Sequence, residues 1–165
     1  MVKITIAKEE HIEQIIEIER EAISPPWTHG ALLSEIYSDD SYFVVATNGL
    51  ADSFNCPNPC SHPCLNPSEI LGFAILREVG DDGELLQIAT KGSARRRGVA
   101  DSLIEDVLQY AIGKAYKSIF LEVRKSNDAA INLYNKHGFA TLRVRKDYYT
   151  DPIEDANIMV KTLNE

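Results

Sequence analysis

Glu84-Leu85-Leu86-Gln87-Ile88-Ala89-Thr90, running into Lys91-Gly92-Ser93-Ala94-Arg95-Arg96-Arg97-Gly98-Val99-Ala100, decides the fold. The first seven residues read as a strand. Beyond the basic loop, Val99, Leu103, Ile104, Val107, Leu108, Ala111 and Ile112 recur on one helical face, which predicts a helix from about Arg97 to Ala115. Ser118-Ile119-Phe120-Leu121-Glu122-Val123 is rich in β-formers and reads as the next strand. Strand, helix and strand in succession indicate a sheet that carries helices on its faces.

Working outward, residues 2–6 read as a short strand and residues 8–22 as an amphipathic helix with Ile12, Ile15, Ile16, Ile18 and Ala22 as its apolar stripe. Ser24-Pro25-Pro26-Trp27-Thr28 breaks that helix, and Thr28 can cap a second, short one containing Leu32, Leu33 and Ile36. Tyr42–Ala46 and Ile70–Val79 are strands, and Asp81-Asp82-Gly83 is a turn signal. Asn127 or Ser126 caps a further helix that Gly138 ends, and Phe139–Arg145 and Asn157–Leu163 are the last two strands. The order is β-α-α-β-β-β-α-β-α-β-β, which predicts one mixed α/β domain over residues 1–165. Residues 48–68 lose all periodicity and carry four prolines, so they read as an insertion in a hairpin connection.

The whole-chain numbers exclude several classes. A chain of 165 residues with 25% charged residues is that of a globular domain, and no run approaches the ~20 apolar residues of a membrane span. The N-terminal residues lack the pattern of a signal peptide, so a cytoplasmic location is the expectation. A net charge of -8 speaks against direct nucleic-acid binding and suits a basic partner. Cys56, Cys60, His62 and Cys64 form a four-donor set inside the insertion. Their Cys-x-x-x-Cys-x-x-x-Cys spacing is not a standard zinc pattern, and a surface loop without metal is expected.

Arg95-Arg96-Arg97-Gly98-Val99-Ala100 joins a strand to a helix start, where unpaired N–H groups and the helix dipole favour an anion. The nucleotide-triphosphate loop would need Lys-Ser/Thr after its last glycine, and Gly98 is followed by Val99. The Gly-x-Gly-x-x-Gly dinucleotide fingerprint is absent. A second motif follows: Glu122-Val123-Arg124-Lys125-Ser126-Asn127-Asp128-Ala129-Ala130, then Leu133-Tyr134 and Gly138-Phe139. Glu122 is the one carboxylate in an apolar strand, a candidate proton acceptor if partly buried.

Arg-x-x-Gly-x-Ala at this place resembles the pyrophosphate loop of the GNAT acetyltransferase superfamily, and the element order resembles that family over nearly the whole chain. The second motif, with Pro26-Trp27-Thr28 and the Arg145-x-x-Tyr148-Tyr149…Glu154-Asp155-Ala156…Met159 ending, is similar to the RimI type, the ribosomal-protein-alanine N-acetyltransferases. The resemblance implies a mostly antiparallel central sheet of six to seven strands, splayed between the fourth and fifth, flanked by about four helices. It implies acetyl-CoA held by Gln87, Ile88 and Ala89, by Arg95, Arg96, Arg97, Gly98, Val99 and Ala100, and by Asn127 and Tyr134. Glu122 resembles the general base and Tyr134 the general acid. Trp27, Glu122, Tyr148 and Tyr149 would line the groove for an acceptor, expected to be the N-terminal alanine of a basic ribosomal protein. The alternatives are a lysine side chain or small amine as acceptor, and a CoA-binding module without turnover. The family's usual Asp-Pro before the loop is replaced by Lys91-Gly92, and the insertion has no counterpart in it.

Overall fold

The computed structural model describes residues 2–49 and 69–163. The expected cysteine-rich insertion, with Cys56, Cys60, His62 and Cys64, lies outside the described residues. The elements are β1 (Lys3–Ile6), α1 (Ile12–Ala22), α2 (His29–Ile36), β2 (Ser41–Thr47), β3 (Ile70–Val79), β4 (Asp82–Thr90), α3 (Val99–Gly113), β5 (Ser118–Arg124), α4 (Asp128–Lys136), β6 (Ala140–Thr150) and β7 (Ile153–Thr162). They build one seven-stranded sheet in the order β1-β2-β3-β4-β5-β7-β6, whose one parallel pair is β4 and β5. The mixed sheet, four helices and element order agree with the expectation. No helix among the described residues is long and apolar enough to cross a membrane.

Each face of the sheet has its own core, because successive residues of a strand point to opposite sides. One side packs Val99, Leu103, Ile104 and Val107 of α3 against Val44, Ala74, Leu121 and Val123, and takes in Tyr134 and Phe139. The other packs Ile12, Ile15 and Ile18 of α1 and Leu32 of α2 against Phe43, Val45, Phe73 and Ile75. A fully buried side chain of this size contributes ~1.5–3 kcal/mol, so both layers hold the sheet between helices.

Four details depart from the sequence reading. The α3 helix begins at Val99 rather than Arg97, because Arg96 (φ 59°) and Gly98 (φ 79°) are left-handed and cannot propagate a right-handed helix. Ile112 is 53% exposed, since it falls past the edge of the buried stripe. On α1, Ala22 is exposed and Glu19 joins the buried residues instead. The last two strands are longer than expected and meet at the tight turn Asp151-Pro152. Thr28 caps α2 as expected, accepting from the Ala31 N–H at 3.2 Å.

The feature that positions a site is a separation inside the sheet. β4 pairs with β5 only from Gly83↔Ile119 to Leu85↔Leu121. Between β3 and β4 the register slips at one point: Leu76 faces Leu85, whereas Ile75 faces Gln87. Leu86 is therefore an extra residue, and a bulge of this kind bends the strand and ends pairing. Beyond it, Gln87–Thr90 stays on β3 while Glu122–Arg124 stays on β7, and the two strands part.

Candidate active site

The parting strands leave backbone of β4 without a partner on one side. Gln87, Ile88 and Ala89 pair in register with Ile75, Ala74 and Phe73 on β3, and the backbone groups not used in that ladder point into the gap. Unpaired backbone groups need partners, and an amide-containing ligand lying along the edge supplies them. Below the gap, the α3 ladder starts with the Ser102 N–H donating to the Gly98 carbonyl at 3.0 Å. The N–H groups of Val99, Ala100 and Asp101 therefore have no partner within the helix. Left-handed Arg96 and Gly98 curve the chain there, and Arg95, Arg96 and Arg97 are all exposed around it. A Cβ on Gly98 would meet no atom within 4 Å, so the glycine serves the turn's conformation. An anionic ligand with an amide-bearing arm fits this pair of features.

Glu122 and Tyr134 lie on either side of β5. Leu121, Val123 and Tyr134 share one core, and Glu122 alternates to the opposite face. Tyr134 is 6% exposed, and its ring packs on Phe139 with centroids 5.8 Å apart. Burial, with a smaller contribution from Tyr149, raises the Tyr134 phenol above its ordinary value, so the proton stays on the oxygen through the neutral range. Glu122 is half-buried, with 29% of its side chain exposed, and sits 3.6 Å from Arg145. Hydrogen bonding to Glu122, with burial adding to it, pushes the Tyr148 phenol up to about 12. The Arg145 guanidinium lies 4.5 Å over the Tyr148 ring. Asn127 caps α4, its side-chain oxygen accepting from the Ala130 N–H at 3.2 Å, and the residue is exposed.

The two tyrosines owe their aim to a bulge. Arg145 faces Ala156 and Tyr149 faces Glu154, so β6 fits two more residues than β7 in that interval. Asp147 takes φ 51° there, and its N–H is held by the Asp155 carboxylate at 3.1 Å. Trp27 is part-buried against the α1 side of the core. It lies in the α1–α2 loop, whose Ser24 carbonyl accepts from Arg124 of β5 at 3.3 Å.

Two residues that the sequence reading gave no role shape this region. Glu19 on α1 is fully buried, and its carboxylate accepts the Trp27 N–H at 2.5 Å. Gln87 of β4 lies beside it, and one oxygen of each side chain has no hydrogen-bond partner. Burial raises the Glu19 carboxyl above its usual range, against the hydrogen bonds that lower it. The signal was present in the sequence: Glu19 stands seven residues after Ile12 and four after Ile15, inside the apolar stripe. Arg124 is the second, with its guanidinium 4.1 Å over the Tyr149 ring and 3.3 Å from Glu154.

Comparison with known proteins agrees with this geometry. Residues 12–139 match the model of the acetyltransferase (GNAT) family. A putative [ribosomal protein bS18]-alanine N-acetyltransferase of Bacillus subtilis (strain 168) is 30% identical over 158 residues, covering 94% of this chain and 92% of that one. The crystal structure of the ribosomal-protein-S18-alanine N-acetyltransferase from Escherichia coli superposes with a TM-score of 0.81 at 27% identity, covering 100% of this chain and 96% of that one. Arabidopsis thaliana NAA60, solved in complex with acetyl-CoA, shares the fold with a TM-score of 0.80 at 18% identity and full coverage of both chains. The chain therefore belongs to the acetyltransferase (GNAT) family, whose members are acetyl-CoA-dependent N-acetyltransferases.

Proposed function

We propose that this enzyme acetylates the α-amine of a protein N-terminus, with the N-terminal alanine of a ribosomal protein as its acceptor. The observation that carries the reading is Glu122, a half-buried carboxylate beside the β4–β5 gap, facing Tyr148 and Arg145 on the side away from Tyr134. The activities named for the Bacillus subtilis and Escherichia coli relatives support the same acceptor. The acidic chain, with a net charge of -8, suits a basic acceptor protein.

Acetyl-CoA supplies a thioester already activated for acyl transfer, so direct attack by the amine suffices. Arg95, Arg96 and Arg97, with the N–H groups of Val99 and Ala100 beyond Gly98, hold the pyrophosphate. The open edge at Gln87, Ile88 and Ala89 binds the pantetheine arm and acetyl group, and Asn127 contacts that arm from α4. A β4 N–H near Ile88 stabilises the growing charge on the carbonyl oxygen. Glu122 takes the ammonium proton, through a water, on the acceptor side. Tyr134 donates its proton to the departing sulfur on the other side, in the protonated state that its burial maintains. Trp27, Tyr148 and Tyr149 line the acceptor groove.

The acceptor's acidity favours an N-terminus. An α-amine titrates near ~7.8 and lysine near ~10.4, so freeing the α-amine of its proton costs ~3.5 kcal/mol less, which suits a carboxylate base. The test is competition: peptides beginning Ala-Arg, internal-lysine peptides blocked at their N-termini, and polyamines, each with labelled acetyl-CoA. Label on the Ala-Arg peptides is the expected result, and its absence refutes the proposal. Glu122→Gln is expected to lower kcat/KM by roughly 10²–10⁴ while acetyl-CoA still protects against thermal unfolding.

A further inference from the structure

Arg124 ends β5 two residues after Glu122, so both side chains leave the strand on the same face. Its Nη2 donates to the Ser24 carbonyl at 3.3 Å and to the Asp151 carbonyl at 3.0 Å. Its Nη1 donates to the Pro152 carbonyl at 3.3 Å and to the Glu154 carboxylate at 3.3 Å. Ser24 belongs to the α1–α2 loop, whereas Asp151 and Pro152 form the turn between β6 and β7. Both segments are thus tied to the end of the strand that carries Glu122. Among the described residues, no other hydrogen bond or ion pair joins them. At the far end of the α1–α2 loop, the buried Glu19 carboxylate holds the Trp27 N–H, so the loop is pinned at both ends.

The chemistry of the tie requires arginine. Three backbone carbonyls on two loops, a carboxylate and an aromatic face converge on one side chain. The guanidinium offers five donors in a rigid planar fork and a face that stacks on a ring. Lysine has a point charge with three donors and cannot span both loops while covering Tyr149. A groove whose walls are tied before the acceptor arrives spares that acceptor the cost of ordering them.

We propose that Arg124 is the positioning residue of the acceptor groove, tying the α1–α2 loop to the β6–β7 turn at the separation the acceptor needs. The inference rests on the acceptor reading above, and its test separates the two. Arg124→Lys and Arg124→Leu are compared with wild type in the full chain, with acetyl-CoA and an Ala-Arg peptide. Both variants are expected to lower kcat/KM for the peptide by roughly tenfold or more through its KM, with the KM for acetyl-CoA unchanged. Trp27 is the chain's sole tryptophan and lies in the tied loop, so acrylamide quenching reads the loop without turnover. Quenching is expected to rise in both variants. A lysine variant with wild-type peptide KM and wild-type quenching overturns the proposal, as does failure of both variants to fold. If wild type acetylates no peptide, the acceptor reading fails, and quenching alone then decides whether the tie exists.

Discussion

Glu19→Gln exchanges one carboxylate oxygen for an amide nitrogen at a place closed to water. Wild type buries Glu19 completely, gives one oxygen the Trp27 N–H, and leaves the other oxygen without a hydrogen-bond partner. Burial disfavours the charged carboxylate, which its hydrogen bonds offset only in part, whereas a neutral glutamine still accepts from Trp27 through its amide oxygen. Relieving a buried unsatisfied polar group is worth ~1–3 kcal/mol. At about 2.1 cal/mol/K of unfolding entropy per residue, that corresponds to a rise in Tm of roughly 3–9 °C. The sign with pH follows from the raised Glu19 pKa. The folded state holds the proton more tightly than the unfolded state, so wild type loses stability as pH rises from the unfolded carboxyl value through the raised one. Glutamine does not titrate, so the variant's advantage is largest above that window and shrinks in acid. Scanning calorimetry of both proteins from mildly acidic to mildly alkaline pH measures it. An equal or lower Tm for the variant at neutral pH, or a difference that does not shrink in acid, refutes the reasoning.

Tyr134→Phe removes a buried hydroxyl but keeps the ring on Phe139, so kcat is expected to fall about 10²-fold or more with folding intact, read by single-turnover acetylation and circular dichroism. Gly98→Ala places a side chain at φ 79° in open space, so the cost is conformational, ~1–2 kcal/mol, with a higher KM for acetyl-CoA as the kinetic readout. Gly72→Ala puts a Cβ 2.6 Å from the Ala89 carbonyl oxygen and 3.1 Å from Val99, which presses on β4 at the site, and chemical denaturation should show a loss of ~1–3 kcal/mol.

The periodic elements were legible because burial writes its period into the chain. The α3 stripe and the alternation in β5 each placed a helix or strand on the sheet to within a few residues. The helix start after Arg97 was misplaced because two left-handed residues, one of them not glycine, are invisible to periodicity. The same holds for the β6 bulge at Asp147 that aims Tyr148 and Tyr149, whose signal is a backbone angle and an aspartate eight residues later.

By itself the sequence determined the basic strand–loop–helix junction, the lone carboxylate at Glu122 and the tyrosine on α4, since each depends on residues near one another in the chain. Only the tertiary structure decided which backbone edge lies open, because the Leu86 bulge matters through strands drawn from distant segments. It alone also showed Glu19 meeting Gln87, and Arg124 meeting carbonyls from loops 100 residues before it and 27 residues after it. Local spacing records which face a side chain takes, and only the packed sheet determines what that face meets.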